Sequence, residues 1–598
     1  TQKISVEEAV RVENVKQVPD IFRSYTDDGF SSTYRPRYFK VVVPDLQEGD
    51  ILEYEFVNYN IKNYLNNPNF KEFSPVYYQC NRSMPVEKQV IEVAMQDDKY
   101  HLGYKSLQGA PDFVPTNSKN GKVYRWEDKG REKMTDLRYV NRNLEMPSVK
   151  FQVIYAKKSS NEYMFVNDQK DLRKDLTEAE FSDKARLFWF SGDNSSVPAD
   201  WKVDYDDEIK AIYKAMKKRN ITDAPNDDYV RKAYYTIRGK TLFRNWSDYA
   251  FAKVFAGLLD KKNIPYEVVA TSSNILTGIN NLAFVKEIVW VIKYNNKYYS
   301  NPYEHLNPGE IPLWLNGNRA VAFGNAPKAT AAAIVLPVAD TASNSLQHII
   351  KTSLTADNAG LVVDEGRQAT GIVKGELMDD ILALTPFMEN DFRNFDGESL
   401  YEGLNPKDRT EAETEMTAQK KEWKEDKPKM MKAMIEEDYN HEVAGDVVFK
   451  VANDGRSFKK QALTFNQKYT LTGMTAKAGS DIVLSLPAMI GDQSQIRKEE
   501  RARQSAADLG YARTLQWSIS FTIPAGYTVQ GLEKLNQRVA NEAASFTAAV
   551  AVQGTELVLT VKKVYNTKYL EVSKWPLLVQ VLDAAFNWSQ SKVVLKKG

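Results

Sequence analysis

The chain is poor in the two side chains on which most thiol and transition-metal chemistry depends. It has one cysteine, Cys80, and four histidines, His101, His305, His348 and His441, in 598 residues. One cysteine excludes an internal disulfide framework and a cysteine-rich zinc site. The scattered histidines form no HExxH or paired-His spacing, so no metal site and no cofactor is expected. No run of about twenty apolar residues occurs, and no transmembrane segment is expected. The formal net charge is +1, so no global field favours nucleic acid or anionic lipid, and nucleic acid is set aside as a partner. No signal peptide is read in the opening TQKISVEEAV, and no glycine-rich phosphate loop precedes a helix.

What is present is aromatic and β-prone. There are 32 Tyr, 26 Phe and 10 Trp, and the apolar fraction is 42%. That supports packed cores, β-rich domains and surfaces able to meet a peptide or a glycan. The length suits about three or four domains.

Residues 1–165 read as an N-terminal antiparallel β-sandwich. RYFKVVVP, DILEYEFVNYNI, FSPVYYQC, EKQVIEVAM, KYHLGYKS, KVYRWED and SVKFQVIYA are short and β-branched or aromatic, with turn clusters between them. Cys80 falls in one of these runs and reads as a small buried hydrophobe. Residues 166–325 read as a central α+β domain, and Ala326–Ala333 as a linker. Residues 326–598 read as β-rich, ATGIVKGEL included, with Gly366 and Gly371 as turn glycines. A polar helical arm at about 408–438 interrupts them, and Pro428 is expected to kink or split it. A final helix is expected from Lys574 to Trp588.

The stretch Trp246–Pro302 organises the central domain. Ala250, Phe251, Val254, Phe255, Leu258 and Leu259 recur at the helical period. Ser247 and Asp248 stand where an N-cap is wanted, Asn263 suits the C-terminus, and Pro265 prevents continuation. Val289–Tyr294 and Lys297–Asn301 then read as a hairpin turning at Asn295-Asn296, which pairs Tyr294 with Lys297.

This order resembles the core of the transglutaminase-like superfamily, whose fold is papain-like. In that family a nucleophilic Cys sits at the N-terminus of such a helix, which ends in a Gly-Ile-Pro-type sequence, here Asn263-Ile264-Pro265. A catalytic His lies two residues before a Trp at the start of a later strand, and an Asp followed by Pro closes the next. Asp228–Arg244 resembles the helix and strand that lead to the Cys loop. Here the Cys position holds Asp248, or Ser247 with one residue of slip. The His position, counted from Trp290, holds Ile288, and the Asp position before Pro302 holds Asn301. A Cys–His–Asp mechanism needs a thiolate within hydrogen-bond reach of an imidazole, and none of these residues is either.

VPDLQEGDILEYEF, the Pro85-Val86 strand start and YRWED resemble a bacterial β domain of unknown function that precedes transglutaminase-like domains. SLP, FTIPAGYTVQGLEKLN and the closing WPLLVQVLDAAFNWSQSKVVLKK resemble the C-terminal β region of the same architecture. The resemblance implies a secreted or periplasmic, non-catalytic protein that scaffolds or binds a peptide, protein or glycan. A groove is expected where Ser247 and Asp248 meet Lys286, Ile288 and Asn301, walled by Trp246, Tyr249 and Trp290. The simpler reading makes Asp248 or Ser247 only a helix cap. The alternative function is a hydrolase built on carboxylates, because 79 Asp and Glu residues leave such a pair open.

Overall fold

The computed structural model describes residues 10–11, 39–40, 47, 49, 70–95, 99–119, 121–134, 138–156, 172–173, 175–190, 197–198, 201, 203–244, 246–302, 305–382, 387, 401 and 404–598. They form an α+β multidomain protein with β-rich ends. The expected strand at 50–61 and the boundary near 165 lie outside these residues.

In the N-terminal domain Ser148–Ala156 is the centre of one sheet. Tyr100–Leu107 pairs along one side, and Phe70–Glu72 and Val76–Gln79 follow one another along the other. Gly121–Arg131 is the centre of a second sheet, between Val86–Ala94 and Val114–Ser118. Alternating inward residues from both sheets meet in one core that holds Leu102, Tyr104, Tyr124, Trp126, Val149 and Phe151. Cys80 is buried in it.

The central domain packs helices against an antiparallel sheet. The strand order is Lys297–Tyr299, Ile288–Tyr294, Glu267–Ser272, Arg319–Gly324, Ala331–Val335. The helix Asp248–Asp260 lies on one face, where Phe251, Val254, Phe255 and Leu258 are fully buried with Ile288, Trp290 and Ile292. Val289 and Val291 point to the opposite face, towards Leu315 and Leu336. Asn263 takes a left-handed φ of 53° at the helix end, and the hairpin turns through Asn295 (47°) and Asn296 (57°). Those positions suit asparagine, which tolerates the left-handed region. Gly257 admits the helix Tyr205–Lys218: a Cβ there would fall 2.2 Å from Ile209 Cδ1.

Two local expectations change here. Asp228–Arg244 is not a helix plus a strand but part of one helix, Asn226–Arg244, because Val230, Ala233, Tyr234 and Ile237 all reach the same core. The expected linker Ala326–Ala333 turns back into the sheet as strand Ala331–Val335, so the sheet runs past 325. Small apolar side chains carry no signal that separates a flexible spacer from an edge strand.

The C-terminal region is built on an eight-stranded sheet in the order Val443–Asp454, Leu463–Thr472, Gly360–Thr370, Ser345–Leu354, Arg513–Thr522, Glu556–Tyr565, Ala544–Gln553, Gln537–Ala540. Ser345–Leu354 and Arg513–Thr522 run parallel; the other neighbours are antiparallel. The expected last helix is Trp575–Ser589. ATGIVKGEL is not wholly β: Gly371 turns the chain at φ 66° into a helix, Gly371–Ile381. Gly366 is not a turn glycine but sits in mid-strand, opposite Ile349. The arm is one unbroken helix of 34 residues, Pro406–Tyr439, that runs through Pro428. Buried Met430, Met431, Ile435 and Tyr439 hold its second half against the sheet core. That packing offsets the single hydrogen bond a proline removes.

Candidate functional site

The helix Asp248–Asp260 begins at Ser247, whose backbone is extended and whose Oγ accepts the Ala250 N–H at 3.2 Å. Ser247, not Asp248, is therefore the cap; Asp248 is the half-buried first helical residue. Asn301 is buried, and its Nδ2 donates to the Trp246 carbonyl at 2.8 Å, one residue before the cap. The chain after the hairpin thus returns to the helix N-terminus. Ile288 begins its strand opposite Ser272 and is buried in the core shared with the helix. Lys286 is half-buried in the turn Val285–Glu287 just before it.

The expected aromatic walls lie inside the protein. Trp246, Tyr249 and Trp290 keep 5%, 3% and 0% of their surface exposed, so they pack the domain instead of lining an open groove. Tyr249 lies edge-on to Trp290 at 5.5 Å and to Phe188 at 5.2 Å, and stacks with Trp201 at 5.9 Å. Large rings at the helix N-terminus are held by other rings from Glu178–Phe190, which is how an apolar payload of this size is normally buried. Lys253, one turn along, donates to the Trp189 carbonyl at 2.5 Å, and burial pushes its amine down to about 8.

No thiol or imidazole is poised at this corner. Cys80 is buried in the N-terminal sandwich, and burial, reinforced by the Asp128 carboxylate, pushes its thiol up to about 11. A thiol at that value carries almost no thiolate at neutral pH. His305 follows Asn301 by four residues, but its Nε2 pairs with the Leu382 carbonyl at 3.1 Å. Burial, with the Arg456 charge, holds its imidazole down to about 3. His348 lies in the C-terminal sheet, where its Nδ1 meets Glu365 at 2.7 Å. Among the described residues no group of His, Cys, Asp and Glu could hold a metal, and no helix is long and apolar enough to cross a membrane.

Sequence reading missed the residue beside Ile288. Glu287 is buried; it accepts the Ala283 and Phe284 N–H groups at 2.6 and 3.0 Å, the Tyr77 hydroxyl at 3.1 Å, and Lys150 Nζ at 2.6 Å. Lys150 and Tyr77 come from the N-terminal domain, so this ion pair joins the two domains. Burial draws the Lys150 amine down, against the pull of Glu287. The available signal was a lone carboxylate at the mouth of an apolar strand; its partner lies 137 residues away. A second titratable group lies on the helix Gly371–Ile381. Glu376, Asp379 and Asp380 are exposed on it, and partial desolvation, with the mutual repulsion of neighbouring carboxylates, raises them above the usual range.

Residues 10–130 match a family model described as a domain of unknown function with a solved structure (DUF3857), and residues 481–595 match another of the same description (DUF3858). No curated protein matches the chain. A crystal structure of a "putative protease" from Parabacteroides distasonis ATCC 8503 is similar at 10% identity, over 88% of this chain and 75% of that one, with a TM-score of 0.35.

Proposed function

We propose that the chain is a non-catalytic, transglutaminase-like protein of the bacterial cell envelope, whose central domain serves as a scaffold or as a binding module for a peptide or glycan. One observation carries this reading: the three positions that resemble a catalytic triad hold side chains already used by the fold. Ser247 caps its own helix, Asn301 holds the Trp246 carbonyl, and Ile288 is sealed in the core. An acyl transfer needs a nucleophile activated by a base and a third group to orient that base, and this corner supplies neither of the first two. The N-terminal and C-terminal domains of unknown function fit the secreted or periplasmic architecture that the sequence resembles.

The test is amine incorporation into a casein-type acceptor by the purified chain, with and without thiol alkylation. No turnover is expected. Turnover that disappears on alkylation would make the protein an enzyme. The alternative, a carboxylate-based hydrolase, would draw on the carboxylates Glu376, Asp379 and Asp380 that share the helix Gly371–Ile381. Hydrolysis of a glycan or peptide panel that is lost in Asp379→Asn would favour it.

A further inference from the structure

The loop between strands Gly121–Arg131 and Ser148–Ala156 of the N-terminal domain does not stay in that domain. Arg138 Nε donates to Glu500 Oε1 at 3.1 Å. Arg503 donates to the carbonyls of Arg138 and Tyr139 at 2.7 and 3.2 Å, and the Asp508 N–H reaches the Tyr139 carbonyl at 2.8 Å. The Tyr139 ring enters the edge of the C-terminal core, 6.2 Å from Trp575. Arg503 covers the other side of this contact, 4.6 Å over the Trp575 ring. Asn141 then bridges Asp508 and the Asn274 carbonyl of the central domain, and Asn143 bonds the Ile275 carbonyl at 2.7 Å. Tyr569 closes the row by donating to Glu145. Three domains therefore meet on eight consecutive residues.

Tyr139 makes these contacts at φ 56°. A bulky aromatic residue in the left-handed region is a rare conformer, and it persists only where its surroundings over-determine it. Here the surroundings are the C-terminal domain. Once undocked, the residue relaxes to an ordinary φ and has no local reason to return.

We infer that residues 138–145 are a latch: the surface formed by Glu500, Arg503, Asp508 and Trp575 is a docking site for this segment, and its occupancy holds the terminal domains as a clamp around the central one. The latch joins parts 362 residues apart in sequence, as the Arg138–Glu500 pair shows. Its release frees this one contact between the terminal domains and loosens their relative placement, while the N-terminal domain stays joined to the central one through Lys150 and Glu287 and each domain keeps its own core.

The experiment uses the full chain with Cys80→Ala and spin labels at Lys122→Cys and Lys562→Cys, two exposed positions on the two terminal domains. With Tyr139 present, pulsed dipolar spectroscopy should show one narrow distance. Tyr139→Ala and Arg503→Ala should each add a broad, longer population, and Tyr139→Phe, which keeps the ring, should stay narrow. Trypsin should cut after Arg138 or Arg142 at least ~10-fold faster in Tyr139→Ala, as expected when a local opening becomes frequent. Cleavage at buried Lys563 at the same rate would show that Tyr139 is part of the C-terminal core, and the latch would be excluded. A narrow distance retained in Tyr139→Ala would also overturn it.

Discussion

Single side chains at the start of the helix Asp248–Asp260 are engaged by the fold itself. The Ser247 hydroxyl accepts the Ala250 N–H, so it acts as a cap and not as a nucleophile awaiting a base. Ser247→Ala should lower stability by about 0.5–2 kcal/mol, read from the denaturant midpoint, and should change no amine-incorporation rate. His305 sets a pH dependence. Its folded-state value of about 3 lies below the ordinary 6.5. The unfolded chain therefore binds the proton first as pH falls, and the stability contribution is complete above pH 6.5 and lost towards pH 3. At about 1.4 kcal/mol per unit, on the order of 2–3 kcal/mol disappears between pH 6.5 and 4.5. His305→Gln should flatten the pH profile by that amount, and an unchanged slope would show that the ring is not buried as a neutral group. His348, also held low by burial, adds a slope of the same sign.

At the scale of elements, legibility followed the range of the interactions. The helix Asp248–Asp260 was readable because its apolar period, its cap and the Asn263 terminus are all local. The hairpin at Asn295-Asn296 was readable for the same reason, and its register of Tyr294 with Lys297 is the one observed. Gly371–Ile381 was misread because Ile372 and Val373 continue a β-like run, and only Gly371 at φ 66° marks the change. The arm was expected to break at Pro428, but burial of Met430 and Met431 is a tertiary effect that no local rule contains. Of the site, the return of Asn301 to the helix N-terminus follows from hairpin register. The inward packing of Trp290 does not, because its cover comes from Glu178–Phe190. The tight helix crossing gives a further expectation. Gly257→Val should destabilise by about 1–3 kcal/mol through overpacking against Ile209, measured by thermal melting.

At the scale of the molecule, a buried ion pair joins the N-terminal and central domains. Lys150 and Glu287 pair at 2.6 Å in a dry junction. Removing one partner leaves the other uncompensated, so Glu287→Leu should cost about 3–5 kcal/mol, whereas Lys150→Met with Glu287→Leu should recover most of it. A double mutant as unstable as the single one would mean that the Tyr77 and backbone hydrogen bonds to Glu287 dominate the junction. The same junction lies one residue from Ile288, so the N-terminal domain supports the corner where that strand begins. If this corner is non-catalytic it forms no covalent intermediate, which intact mass spectrometry reads. The chain is incubated with a glutamine-containing peptide and, separately, with an activated acyl ester, and then quenched in acid. The account predicts an unchanged mass. A stoichiometric acyl adduct that maps to Ser247 or Cys80, and that disappears in Ser247→Ala or after thiol alkylation, would contradict it.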